Sequence, residues 1–242
     1  MNFLLNNFIF KQNEHKIIAL ESFEGLRNLT ITSVIIISIL ILGRYLNKES
    51  KVLLAKSICV LAIVLISYDH LINVINGNWE IHVDLPLHLC SISNLITCII
   101  LFIPKNNKLF EFLFYCGFLG GLMAIITPQI NYYDGGLFMY FYYYISHGTI
   151  ILIPLYMFYH LEMKLSKYSW LKTFIILNII MVLIMPLNFI IGSGSNYMYL
   201  AESQKIDNPL VFGDWPYYII NWEIIVLVLF YFTYLIFTRK KI

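Results

Sequence analysis

The chain has 242 residues, 60% of them hydrophobic and 12% charged, with a mean hydropathy of +0.75 and a formal net charge of +2. Soluble domains average roughly 45–50% apolar and about 25% charged residues, so a water-soluble core is excluded. The small net charge, with basic residues set beside apolar runs, excludes a nucleic-acid partner and leaves membrane lipids as the implied one.

Residues 1–28 carry both signs of charge among scattered Phe, Leu and Ile. They read either as a short amphipathic helix at the membrane interface or as a loosely ordered leader. Neither a basic start nor an A-x-A-like site marks a cleaved signal peptide. Seven apolar runs follow, at about Leu29–Leu46, Val52–Ile72, Leu85–Ile103, Leu109–Pro128, Leu137–His160, Trp170–Ile191 and Tyr217–Thr238. They are too long and too little alternating for barrel strands. The charged breaks Asn47–Lys51 and Pro104–Lys108 read as loops. At about 20 residues per span, seven spans use up residues 1–242 as a single domain. The expected fold is all-α, a polytopic membrane protein with seven transmembrane helices.

Orientation follows from the basic residues, which stay on the cytoplasmic side. Arg44, Lys48, Lys51 and Lys56, then Lys105 and Lys108, then Lys164, Lys167 and Lys172, and finally Arg239, Lys240 and Lys241 fall on one side: twelve of the sixteen. The opposite loops hold Lys205 alone, besides Lys11, Lys16 and Arg27 of the leader, and carry Glu80, Asp84, Asp134, Glu202, Asp207 and Asp214. The tail is therefore expected in the cytoplasm and the amino terminus outside, in the cell membrane.

Ionisable groups within spans are costly and mark function by default. Asp69 and His70 end span two; His88, Cys90, Ser91, Ser93 and Asn94 occupy the outer half of span three. Gln129 and Asn131 follow span four, His147 sits mid-depth in span five, Asn188 nears the outer end of span six, and Asn221 and Glu223 open span seven. The inner halves are Ile, Leu, Val and Phe, so a polar cavity opening outward is expected. At ~1.5 Å rise per residue, Cys90 lies roughly 8 Å and His147 roughly 15 Å below the outer surface, a gap side chains can bridge.

Four cysteines, Cys59, Cys90, Cys98 and Cys116, all lie within spans, without a C-x-x-C pair. Three read as small packing residues; Cys90 stands apart because His88 and Asn94 flank it and Pro86 precedes it. An interhelical hydrogen bond is the ordinary role of a lone membrane histidine, and Asp69 and Glu223 stand near enough to helix ends to face water. The chemical reading beside these plain ones is a thiol nucleophile with an imidazole base. Cys90 would attack an ester carbonyl, His147 or His88 would shuttle the proton, and Asn94 or backbone amides would stabilise the oxyanion. Asp69, His70, Asn94, Asn188, Asn196 and Glu223 are the candidate binding residues, and the chemistry calls for neither cofactor nor metal.

The runs Leu85-Pro86-Leu87-His88-Leu89-Cys90-Ser91-Ile92-Ser93, Ser146-His147-Gly148 with Ile153-Pro154, Gly194-Ser195-Asn196-Tyr197-Met198-Tyr199-Leu200 and Asp214-Trp215-Pro216-Tyr217-Tyr218, in a seven-span layout, resemble the YwaF-type integral membrane proteins of bacteria. Those are similar to the eukaryotic transmembrane protein 164 family. The resemblance implies a membrane acyltransferase that handles phospholipid acyl chains through a cysteine and a histidine. In that family the nucleophilic cysteine falls between the proline and the histidine of the first run, which is Leu87 here. Cys90 lies three residues on, on roughly the same helical face one turn deeper.

Two rivals remain. A metal-dependent membrane hydrolase would draw ligands from Ser67, His70, His82, Asp84 and His88; the His-x-x-x-His that seven-span zinc hydrolases carry in the last span is absent. A transporter or ligand-binding protein would use the breaks at Pro154 and Pro186, although no internal repeat is evident.

Overall fold

The computed structural model describes residues 16–104, 106–131, 136–192, 194–204 and 212–238. The leader up to His15, the loop positions Lys105, Asp134, Lys205 and Asp207, and the tail Arg239–Ile242 lie outside the described residues.

One short strand pair interrupts an otherwise helical chain. β1 (Lys16–Ile17) runs antiparallel to β2 (Gln129–Ile130), with Lys16 opposite Ile130 and Ile17 opposite Gln129. Residues 16–22 are thus strand and turn rather than an interfacial helix. Ile18 packs with Ile130 and Tyr144. Ser22 then caps α1 (Phe23–Tyr45), its Oγ accepting the Gly25 N–H at 3.0 Å, and Asn47 caps α2 (Lys48–Ile75), accepting the Ser50 N–H at 2.8 Å. Such side chains satisfy donors that the first helical turn leaves open, which fixes both starts.

α3 (Leu89–Ile99), prolonged by a 3₁₀ turn at Ile100–Phe102, starts later than expected. Pro86 has no N–H for a helical bond and disfavours helical backbone at Leu85, so Leu85–His88 approach as irregular chain. α4 (Asn107–Ile126) contains a π turn at Leu113–Gly117. α5 (Leu137–His160), α6 (Ser169–Ile191) and α7 (Tyr217–Thr238) begin and end within a residue of expectation.

Five helices, α1, α2, α4, α6 and α7, are long and apolar enough to cross a membrane. α1, α2, α6 and α7 turn exposed Ile, Leu and Val outward, which suits lipid rather than water. The chain is a multi-pass membrane protein. Of the seven expected spans, α3 is too short for that measure, and α5 holds six tyrosines and two histidines that lower its hydropathy.

α5 is the hub, with α1, α2, α3 and α4 all packed on it. Its approach to α4 runs over Gly117-x-x-x-Gly121, the small-residue spacing that lets membrane helices close up. A Cβ at Gly121 would stand 2.7 Å from Ile151 Cγ1 and 2.9 Å from the His147 carbonyl oxygen. α6 and α7 pack on each other and meet α4 through Leu177 and Phe230 against Phe112, Tyr115 and Cys116. On its other side α4 faces α5 through Phe110, Leu113 and Phe114. Between the α6–α7 pair and α3, α4 and α5 a cavity is left open.

Candidate functional site

The cavity holds about 410 Å³, within the usual range of small-molecule pockets. Its polar groups gather where α3 begins. His88 is the N-cap residue of α3 and makes no side-chain cap. The first backbone bond of the helix is Ile92 N–H to the His88 carbonyl, at 2.9 Å. The N–H groups of Leu89, Cys90 and Ser91 therefore have no partner among the described residues, as an uncapped first turn dictates. Cys90 sits in that turn and lines the cavity, with its Sγ 3.6 Å from where a Cβ on Gly120 would be. Only a glycine leaves the thiol this open on the α4 side.

His147 enters from α5, one residue further along the same turn of α4, since its own carbonyl faces Gly121. Its Nδ1 lies 2.7 Å from the Tyr143 carbonyl oxygen. A carbonyl only accepts, so Nδ1 carries the proton and Nε2 of the neutral ring is left as an acceptor. The Tyr143 ring packs against the imidazole at 4.3 Å between centroids, and the Tyr143 hydroxyl donates to the Ala124 carbonyl at 2.7 Å.

Opposite, Glu223 of α7 accepts from Asn178 Nδ2 of α6 at 2.7 Å, tying the two helices together at the cavity wall. Asn94 lines the cavity below Cys90, its Oδ1 buried without a hydrogen-bond partner. Leu119, Met123, Met181, Val226 and Leu229 make the rest of the wall apolar. The mouth is framed by Gln129, Asn131 and Tyr199, with Asn131 Nδ2 donating to the Tyr199 hydroxyl at 3.2 Å.

The mouth turn Tyr197–Tyr199 is held from several sides. Asn188 near the end of α6 is buried and grips Tyr197 twice: its Oδ1 accepts the Tyr197 N–H at 2.9 Å and its Nδ2 donates to the Tyr197 carbonyl at 3.0 Å. The Tyr197 hydroxyl accepts the Leu85 N–H at 3.0 Å and donates to the Ile81 carbonyl at 2.7 Å. Asn196 accepts the N–H groups of Ala201 and Glu202 at 3.0 and 3.2 Å. These bonds keep Met198 and Tyr199 at φ 56° and 54°, a conformation that costs about 1–3 kcal/mol for a non-glycine residue.

His88, Cys90, Asn94, His147 and Glu223 thus all line one cavity. Asp69, His70, Asn188 and Asn196 do not line it. His70 Nδ1 accepts the Trp79 indole N–H at 3.2 Å, Asp69 stays half-buried on α2, and the two asparagines shape the mouth turn. The metal-ligand set considered above is dispersed: His82 Nε2 lies 2.9 Å from Glu80 Oε2, and Asp84 accepts the Glu80 N–H at 2.7 Å. Among the described residues no three His, Cys, Asp or Glu side chains come together as metal ligands. Sequence reasoning passed over Asn178, Gly120, Tyr142 and Tyr143, all but Asn178 on the cavity wall. An amide in the middle of the apolar run of span six was the available signal for Asn178.

Neither a curated protein nor a solved structure matches the chain. The model of the TMEM164 family does, over residues 19–234.

Proposed function

The chain belongs to the TMEM164 family, and on that premise we propose that it is a membrane-embedded acyltransferase or lipid hydrolase that carries a phospholipid acyl chain on Cys90. The observation that carries the reading is one shared cavity. A thiol in an uncapped helix turn, an imidazole with its acceptor nitrogen free, and an otherwise apolar lining meet in one cavity. Leu87, the position that carries the thiol in the eukaryotic family, packs against the Ile184, Tyr197 and Leu200 cluster instead. Cys90 takes over the nucleophile's place from the next turn.

In the reaction, His147 Nε2 accepts the Cys90 thiol proton as sulfur attacks the ester carbonyl carbon. The ester C–O bond breaks, and the proton passes from His147 to the departing lysolipid oxygen, leaving an acyl thioester. A second hydroxyl, from another lysolipid or from water, gives its proton to His147 and attacks the thioester, and sulfur leaves with that proton. The unpaired N–H groups of Leu89, Cys90 and Ser91 are available as donors for the oxyanion. Fixed tautomer and orientation let His147 act as base and acid in turn.

We read all seven helices as crossing the membrane, α3 and α5 sheltered by the others, with the amino terminus outside, the tail cytoplasmic and the cavity mouth facing outward in the cell membrane. A carboxyl-terminal alkaline phosphatase fusion is then inactive and a fluorescent-protein fusion bright; the reverse pattern overturns the orientation.

The decisive experiment labels purified protein in lipid with a thiol-reactive acyl probe and maps the modified peptide. Cys90→Ala abolishes labelling and lipid turnover, His147→Ala slows acylation by roughly 10²–10⁴-fold, and Cys98→Ala leaves both unchanged. Full activity in Cys90→Ala, or absence of any lipid turnover in the wild type, removes the acyl-enzyme reading and leaves the cavity as a binding or transport site.

A further inference from the structure

The two cavity histidines are wired oppositely. His147 Nδ1 faces a carbonyl and must donate, whereas His88 Nδ1 lies 3.2 Å from the Met198 N–H and must accept. A neutral imidazole carries one proton, so the ring that accepts at Nδ1 bears its hydrogen on Nε2. The His88 ring is further wedged between Tyr197 and Tyr199, at centroid distances of 5.3 and 5.2 Å. It cannot turn over without losing the bond from the Met198 N–H. The left-handed turn aims the Met198 N–H at it, and the turn is held in place by the double bond between Asn188 and the Tyr197 backbone.

We propose that His88 is a fixed hydrogen-bond donor that stabilises the oxyanion during acyl transfer, and that Asn188 is the positioning residue which locks it in that state through the Tyr197–Tyr199 turn. The inference rests on the acyl-transfer reading and separates the two histidines: His147 moves protons, and His88 never does. His88 lines the same cavity as Cys90, two residues ahead of it at the start of α3, so its Nε2–H and the open N–H groups of the first turn belong to the same end of that helix. Such preorganised donors act because they are already aimed before charge develops.

The test uses ¹⁵N-histidine-labelled full-length protein in lipid nanodiscs. Ring nitrogen resonances, assigned by single-histidine variants, should report Nε2–H for His88 and Nδ1–H for His147. Asn188→Leu should give a mixture of tautomers at His88 and slow acylation by the lipid probe, with little change in the probe concentration for half-maximal rate. His88→Gln puts an amide donor near the old Nε2 position, and His88→Asn does not. His88→Asn should lose about 10²–10³-fold in acylation rate, the scale of one oxyanion donor, and His88→Gln should recover at least about tenfold of it. An Nδ1–H signal at His88, or Gln no better than Asn, overturns the proposal. If Asn188→Leu does not fold, the wild-type spectrum and the Gln/Asn pair still decide. Should wild-type protein show no acyl-enzyme at all, the acyl-transfer reading fails, while the tautomer spectrum separately reports whether the clamp exists.

Discussion

Adjacent glycines on α4 offer a matched pair of perturbations. Gly120→Ala and Gly121→Ala gain the same helix propensity, roughly 0.5–1 kcal/mol over glycine. Their surroundings differ. A methyl at Gly120 meets Cys90 Sγ at 3.6 Å and Leu89 Cδ2 at 3.9 Å, both ordinary contacts. At Gly121 it meets the His147 carbonyl oxygen at 2.9 Å and Ile151 Cγ1 at 2.7 Å, and the carbonyl cannot rotate aside. Restoring contact distance moves α4 and α5 apart by about 0.5 Å, and overpacking of this kind costs about 1–3 kcal/mol. Gly121→Ala should therefore be less stable than Gly120→Ala by about 1–3 kcal/mol, read as several degrees in thermal unfolding at about 2–4 °C per kcal/mol. Because the displaced carbonyl belongs to His147, acylation should fall as well, toward the 10²-fold that misplacement by about 1 Å can cause. Differential scanning fluorimetry of the purified variants, with probe labelling alongside, measures both. Equal melting temperatures for the two variants would refute the close α4–α5 approach.

Two further predictions concern the frame of the site. Asn178→Leu leaves the Glu223 carboxylate without its 2.7 Å donor, and the α6–α7 pair should lose about 1–3 kcal/mol; a melting temperature equal to wild type would show that the bond is idle. Tyr140→Phe removes the hydroxyl that donates to Glu24 and accepts from Asn28, both at 2.6 Å. A loss of about 1–3 kcal/mol is expected, with faster hydrogen exchange in residues 16–22, since Glu24 also pairs with Lys16 at 2.9 Å. Unchanged protection there would detach this network from the strand pair.

The long apolar runs made the helices easy to read, because spacing and length alone mark them. α5 and α7 begin and end at the residues expected. The start of α3 was misjudged because apolar content continues through Leu85 and Leu87, and the effect of Pro86 on backbone hydrogen bonding does not show in hydropathy. For the site, the cost of burying polar groups drew notice to His88, Cys90, Asn94, His147 and Glu223, which line one cavity. The same rule drew in Asn188, and the motif shared with the resembled family drew in Asn196; both amides grip backbone of the mouth turn. A polar side chain aimed at a loop and one aimed at a ligand look alike in sequence. Gly120 and Gly121 were invisible for the opposite reason: their role is the space they leave.

The ladder between Lys16–Ile17 and Gln129–Ile130 has a bearing on biogenesis. Translation proceeds at about 5–20 residues per second, so β1 waits on the order of 5–20 s before its partner strand exists. Throughout that interval α1 and α2, both long and apolar enough to cross a membrane, are already made, while β1 ahead of them still lacks its partner strand. Closing the ladder draws the start of the described chain onto the rim formed by Gln129 and Ile130, and so completes the cavity mouth only after α4 has been delivered.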